Sequence, residues 1–122
     1  MIIAEEKAYA KFSPMARVTK DLRIGSVVVN EIKIAPGRML PPDEATIKRL
    51  MASIQKIGLL CPIIVWRPTS RTQPKLIAGL NRFEACKRLG YATIDARVII
   101  GDTPEIRQWC KLVQIETNLR EP

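Results

Sequence analysis

The sequence contains no histidine, and its three cysteines, Cys61, Cys86 and Cys110, lie far apart with no Cys-x-x-Cys pair. A zinc centre of the His/Cys type and a disulfide framework are both disfavoured by that inventory. Aromatic residues are scarce: Tyr9, Phe12, Trp66, Phe83, Tyr91 and Trp109 are the whole set, so the core has to be mainly aliphatic. No apolar run is long enough to span a bilayer, and the N-terminus lacks the continuous hydrophobic segment of a secretory signal. The expected location is therefore cytoplasmic, away from membranes. All three cysteines fall within apolar patterns and are expected at core or near-core positions.

What the sequence does have is positive charge. Its 122 residues carry a net charge of +8, suit one domain or one domain with a tail, and are 47% hydrophobic and 26% charged, as in ordinary globular chains. Residues 61–100 hold seven Lys or Arg against Glu84 and Asp95, a balance of +5, whereas residues 101–122 come out at −1. A basic middle of this kind suits an anionic partner.

Residues 1–20 show no sustained periodicity, and residues 1–23 read as an N-terminal tail or a short element tied down by a partner. Residues 24–34, IGSVVVNEIKI, are rich in β-branched side chains and predict a strand or a strand with a bend. After Pro41-Pro42, Ile47, Leu50, Met51, Ile54 and Ile57 recur at helical spacing, with Asp43 or Glu44 at the positive end and Gly58 as the stop. Ile63–Trp66 predicts a short buried strand. The polar stretch RPTSRTQP (67–74) predicts a loop whose arginines, Arg67 and Arg71, are solvated. Lys75–Ala78 predicts another strand, and Leu80–Leu89 a helix with Phe83, Cys86 and Leu89 on one face and Lys87 and Arg88 outward. Thr93–Ile100 alternates through Ile94, Ala96, Val98 and Ile100. In Asp102-Thr103-Pro104-Glu105, Thr103 can cap and Pro104 fits the first helical position, so a third helix begins there, with Ile106, Trp109, Cys110 and Val113 along its apolar stripe. The order strand, helix, strand, strand, helix, strand, helix predicts a small α+β domain with a mixed sheet.

Three segments carry chemistry. The first is Leu76–Gly90, LIAGLNRFEACKRLG, where a strand passes through Gly79 into a helix bearing Asn81 and Arg82. A glycine turn, free N–H groups at a helix start and an arginine together make an anion site. It is neither a Walker A motif nor a full dinucleotide fingerprint. The second is the end of the third helix, where Glu116, Asn118 and Arg120 place a carboxylate, an amide and a guanidinium close together. Glu116 can hold Mg²⁺ against a triphosphate. The third is Ser53–Pro62, which joins the first helix to a buried strand and can form a pocket wall.

In their order and spacing these segments resemble the N-terminal domain of ParB-like partition proteins, within the ParB/sulfiredoxin superfamily. The likeness runs over roughly residues 24–120, through PGRMLPPDEATIKRLMASIQKIGLLCPIIVW, LIAGLNRFEACKRLGYATIDARVI and LVQIETNLR. The resemblance implies a mixed sheet with packed helices, binding of CTP with Mg²⁺, slow CTP hydrolysis, and a homodimeric clamp on DNA. It also implies that sequence-specific DNA recognition belongs to a following helix-turn-helix domain, so residues 24–122 are expected to be the nucleotide-binding domain alone. Relatives of this fold include sulfiredoxins, a free-serine kinase and domains described as nuclease-like.

Matched residue by residue, the family's G-E-R-R-x-R-A segment falls on Gly79-Leu80-Asn81-Arg82-Phe83-Glu84-Ala85. Gly79, Arg82 and Ala85 are kept, while Leu80, Asn81 and Glu84 replace an acidic and two basic residues. The G-L-x-R-x-x-A form is similar to plasmid and prophage members. The E-N-x-x-R segment is matched by Asn118, with Thr117 at the metal-binding glutamate position, and with Glu116 and Arg120 each displaced by one residue. One residue is about 100° on a helix. The base-contacting G-x-x-Q-P region falls on Gly58-Leu59-Leu60-Cys61-Pro62, where Cys61 stands for an amide that reads a pyrimidine edge. Arg38 matches a frequent Pro-Arg region. Leu80 occupies the position at which sulfiredoxins carry their reactive cysteine.

The resemblance thus implies a phosphate site of Gly79, Leu80, Asn81, Arg82, Asn118, Arg120 and Arg38, a base pocket of Gly58, Leu60, Cys61 and Pro62, and Glu116 as metal ligand. Three functional readings stay open: a nucleotide-binding module for partition or transcription regulation that assists DNA binding, a nuclease-like or phosphoryl-transfer enzyme, and a non-catalytic dimerisation adaptor.

Overall fold

Among the described residues, four short runs of β-branched and aliphatic residues pair into one sheet, and the helices that follow Pro42 cover its two faces. The computed structural model describes residues 18–19, 22–35 and 41–120, with side chains through Thr117. In chain order these are β1 (Arg23–Val28), a single 3₁₀ turn (Val29–Glu31), α1 (Glu44–Ile57), β2 (Ile63–Arg67), β3 (Lys75–Ala78), α2 (Leu80–Arg88), β4 (Thr93–Ile100) and α3 (Pro104–Arg120). The strands lie in the order β1-β4-β2-β3. β1 is antiparallel to β4, β4 is parallel to β2, and β2 is antiparallel to β3. This is the mixed-sheet α+β domain that the element order predicts.

Alternation along the strands sorts the side chains into two cores. On one face Ile63, Val65, Leu76, Ile94 and Ala96 meet Ile47 and Ile54 of α1 and Phe83 and Cys86 of α2. On the other, Ile77 and Ile99, with Ile64 and Trp66, meet Trp109 and Cys110 of α3. Val18 joins this second core, and Trp109 Nε1 donates to Thr19 Oγ1 at 3.0 Å, so the chain ahead of β1 is held against α3. The predicted strand at 24–34 bends at the 3₁₀ turn. Lys33 beyond it forms a parallel bridge to Lys75, with Lys33 N–H donating to Pro74 O and Leu76 N–H to Lys33 O, each at 2.8 Å. That rung gives the edge of β3 a partner.

Four expectations are corrected. Cys61 is exposed in the α1–β2 loop, beside Leu60 at 74% exposure, because, of the apolar run ahead of the strand, Leu59 packs against the first core and the next two residues turn outward. Ile57 is exposed because it overhangs the end of α1. On β4 the first core stops at partly buried Val98, so Ile100 is exposed and Ile99 is buried against α3 instead. Arg67 is not simply solvated: its guanidinium donates to Thr72 O at 3.1 Å and closes the 67–74 loop.

The predicted caps hold. Thr103 Oγ1 accepts the Ile106 N–H at 3.1 Å at the start of α3, and Gly58 N–H returns to Ile54 O at 2.8 Å. Two polar links also tie α1 to α2. Asp43 N–H donates to Asn81 Oδ1 at 3.0 Å, and both terminal nitrogens of Arg88 reach the Glu44 carboxylate at 2.7 Å. Arg88 is therefore paired rather than merely outward-facing.

The hydrogen bond from Arg88 holds the Glu44 carboxyl below its ordinary range. A carboxyl depressed in the folded state adds stability above its unfolded pKa and loses it as pH falls through the folded value. Denaturant melts should therefore show Glu44→Gln less stable than wild type at pH 7, with the difference vanishing as the pH drops below the carboxylate range. A difference that stays constant down to pH 3 would show that the pair does not carry it.

Candidate functional site

The site begins where β3 stops. Ala78 ends the strand and Leu80 opens α2, and Gly79 between them has φ 99° and ψ 36°, a left-handed conformation that disfavours any side chain. Space imposes the same restriction: a Cβ at Gly79 would lie 2.8 Å from Ile63 Cγ2. The turn therefore presses α2's start against the beginning of β2. The first intrahelical bond runs from Phe83 N–H to Gly79 O at 2.8 Å. No side chain caps this helix, and its first turn holds no acidic residue. The N–H groups of Leu80, Asn81 and Arg82 are left without intrahelical acceptors at the positive end of the helix dipole.

The three side chains that follow do different things. Leu80 packs partly against the first core, so its contribution to an anion site is its N–H. Asn81 does not cap α2, and its carbonyl oxygen instead accepts from Asp43 and positions α1. Arg82 is half-buried and its Nη1 donates to Pro62 O at 3.4 Å. That bond brings the first and third sequence segments together: the Gly58–Pro62 loop lies beside the α2 N-terminus, with Gly58 and Pro62 half-buried and Leu60 and Cys61 exposed.

The second segment is placed less completely. Glu116 is exposed on α3. Thr117, which the resemblance alone sets at a metal-ligand position, donates its hydroxyl to Val113 O at 2.9 Å and Gln114 O at 3.2 Å, within its own helix. The side chains of Asn118 and Arg120, and the whole of Arg38, lie outside the described residues. Among the described residues no three His, Cys, Asp or Glu side chains gather as a metal cluster. One carboxylate does not by itself build a Mg²⁺ site; phosphates and water would have to fill the other positions.

The buried cysteines are chemically quiet. Burial pushes the Cys110 thiol up to about 11, and burial followed by the charge of Asp95 raises that of Cys86. Both are thiols at neutral pH, and the thiolate is the reactive form. Sequence reasoning missed the roles of Asn81 and Arg88 in joining α1 to α2. Both contacts span about forty residues, and no local spacing signals them.

A mixed sheet between two helical layers, with a glycine turn feeding a positive helix end, defines an α+β domain of the ParB/sulfiredoxin superfamily. The family model described as the ParB N-terminal domain matches residues 13–113, and the chain belongs to that family. Sulfiredoxin from Arabidopsis thaliana is 29% identical with a TM-score of 0.60, over 71% of this chain and 96% of that one. The C-terminally truncated chromosome-partitioning protein ParB from Caulobacter crescentus, complexed with CTP-γ-S, is 22% identical with a TM-score of 0.64, over 82% of this chain and 54% of that one. The same truncated protein complexed to the centromeric parS site is 25% identical with a TM-score of 0.53, over 69% of this chain and 44% of that one. This chain thus spans only part of the length of the ParB chains it matches. No curated protein matches it. Among the described residues no helix is long and apolar enough to cross a membrane.

Gly79→Ala tests the geometry. A left-handed alanine costs about 1–2 kcal/mol and the contact with Ile63 adds to it, so denaturant unfolding should show a loss of about 2 kcal/mol or more. A loss below about 0.5 kcal/mol would mean that the turn relaxes freely.

Proposed function

We propose that this domain is a ParB-type module that binds the phosphates of a nucleotide at the α2 N-terminus and uses the bound state to assist DNA binding by a homodimer. The observation that carries the reading is the Gly79 turn: a left-handed glycine, an uncapped helix start and a half-buried arginine at its side. Backbone N–H groups at a helix N-terminus suit a phosphate, and Arg82 can form a fork with two of its oxygens. CTP is the nucleotide by family resemblance, and a related fold holding CTP-γ-S is consistent with it. By family resemblance alone, Glu116 of α3 would be the carboxylate for a phosphate-bound Mg²⁺, and Arg38, Asn118 and Arg120 the further phosphate contacts.

The base pocket would lie along Gly58, Leu60, Cys61 and Pro62, because Arg82 joins this loop to the phosphate site. An exposed thiol there reads a base edge poorly, so discrimination among nucleotides should be weaker than an amide would give. The groups at the turn are donors and cations, which bind and orient a phosphate. A regulatory binding role follows from them more directly than a fast turnover, with any CTP hydrolysis slow. DNA is the partner through the dimer and a following helix-turn-helix domain, by the same family resemblance.

Calorimetry with CTP, ATP and GTP, with and without Mg²⁺, tests the reading. Charge-assisted hydrogen bonds are worth about 1.5–3 kcal/mol, so Arg82→Ala should weaken CTP binding by roughly 10- to 100-fold. Equal affinity in Arg82→Ala and wild type, or no nucleotide binding by the wild-type chain, would contradict it.

A further inference from the structure

A second concave surface lies on the other face of the sheet, and the phosphate reading does not use it. Between the edge of β3 and α3 is a cleft of about 680 Å³, lined by Lys33, Lys75, Trp66, Arg107, Lys111 and Gln114 among others. Trp66 belongs to the second core under α3, whereas Phe83 of α2 packs into the first. The two sites therefore sit on opposite sides of the sheet.

The charges of this cleft are arranged against themselves. Lys33 and Lys75 are directly paired across the parallel bridge at the sheet edge. Arg107 and Lys111 are four residues apart on α3, and both line the same cleft. Like charges directly opposite in a sheet, or at this spacing on a helix, repel each other. Among the described residues one carboxylate offsets part of this arrangement: Asp102, whose second oxygen takes Arg107 Nη2 at 2.9 Å and whose charge also interacts with that of Lys75 at longer range, leaving Lys33 and Lys111 uncompensated. Neither lysine of the bridge, nor Lys111, has a carboxylate within ion-pair distance among the described residues. Two locally unfavourable pairs that converge on one hollow are what an anionic ligand would relieve.

The aromatic wall narrows the class of anion. Trp66 is half-buried, and its ring is fixed by an Nε1 hydrogen bond to Gly101 O at 2.7 Å. The Lys75 ammonium sits 5.2 Å from the ring centroid, so one ring face is turned toward the basic groups. A basic groove with an indole face is the arrangement that holds phosphates and stacks an unpaired base. The surface is a hollow between a strand edge and a helix, not a protruding helix shaped to enter a duplex groove.

We propose that this cleft binds single-stranded nucleic acid, with Lys33, Lys75, Arg107 and Lys111 on the phosphodiester chain and a base stacked on Trp66 after Lys75 moves aside. The site is independent of the Gly79 turn, so Arg82→Ala should bind the strand as wild type does.

Fluorescence anisotropy with a labelled oligothymidylate, read over a range of salt concentrations, tests the proposal. Removing two phosphate contacts should lower the salt slope for a single strand by about 1.4, and Lys33→Glu/Lys75→Glu should bind at least ~10-fold more weakly at ~100 mM salt. Lys48→Glu/Lys87→Glu, the same charge change on exposed positions of α1 and α2, should weaken binding less than ~3-fold. The strand should also quench tryptophan emission in wild type but not in Trp66→Phe, which keeps buried Trp109. The proposal is overturned if both double variants weaken equally, if Trp66→Phe is quenched as wild type is, if wild type does not bind the strand at low salt, or if poly-glutamate of equal charge competes as well as the strand.

Discussion

The close approach of Gly79 to Ile63 fixes where the β3–α2 turn can lie. A backbone carbon where a side chain would collide with Ile63 Cγ2 at 2.8 Å lets the β3–α2 turn lie directly on the start of β2. From that contact several placements follow. α2 begins at a fixed point beside the sheet, Arg82 comes within reach of the Pro62 carbonyl, and Asn81 meets the backbone of Asp43 and so sets α1. The uncapped donors of α2 are thereby held next to the α1–β2 loop. Removing the glycine would disturb both the β3–α2 turn and the proposed anion site, because they are one piece of backbone.

The sheet separates two kinds of surface. Its α1/α2 face ends in a helix start that offers N–H groups and one arginine, a compact arrangement suited to a phosphate group. Its α3 face opens into a basic hollow lined by Lys33, Lys75, Arg107 and Lys111 with Trp66 in its wall. A short β3 strand contributes to both, with Leu76 in the first core and Ile77 in the second. That division keeps the cations of the two proposed anion surfaces apart.

Much of the fold was legible because its signals are local. Helical spacing from Ile47 to Ile54, the Thr103-Pro104 start and the glycine turn at 79 each act within a few residues. Belonging to the ParB N-terminal domain family was legible for a different reason, since three ordered segments carry it and the family match covers residues 13–113. What stayed hidden depends on contacts between distant residues. Nothing near Asn81 announces Asp43, and nothing near Arg88 announces Glu44. Cys61 sits in an apolar run yet is exposed, because hydrophobicity does not say which loop residues face the core. The basic hollow was concealed by counting charge in windows: Arg107 and Lys111 fall in a stretch of net −1 and meet Lys33 and Lys75 only after folding.

The central claim is that nucleotide phosphates bind at the α2 N-terminus. A ¹H–¹⁵N NMR titration of the chain with CTP and Mg²⁺ measures it residue by residue. The account predicts that the backbone amides of Leu80, Asn81 and Arg82 shift most, with the Trp66 indole N–H unmoved. Shifts centred on Trp66 and Lys75, or none at residues 80–82 under saturating nucleotide, would contradict it.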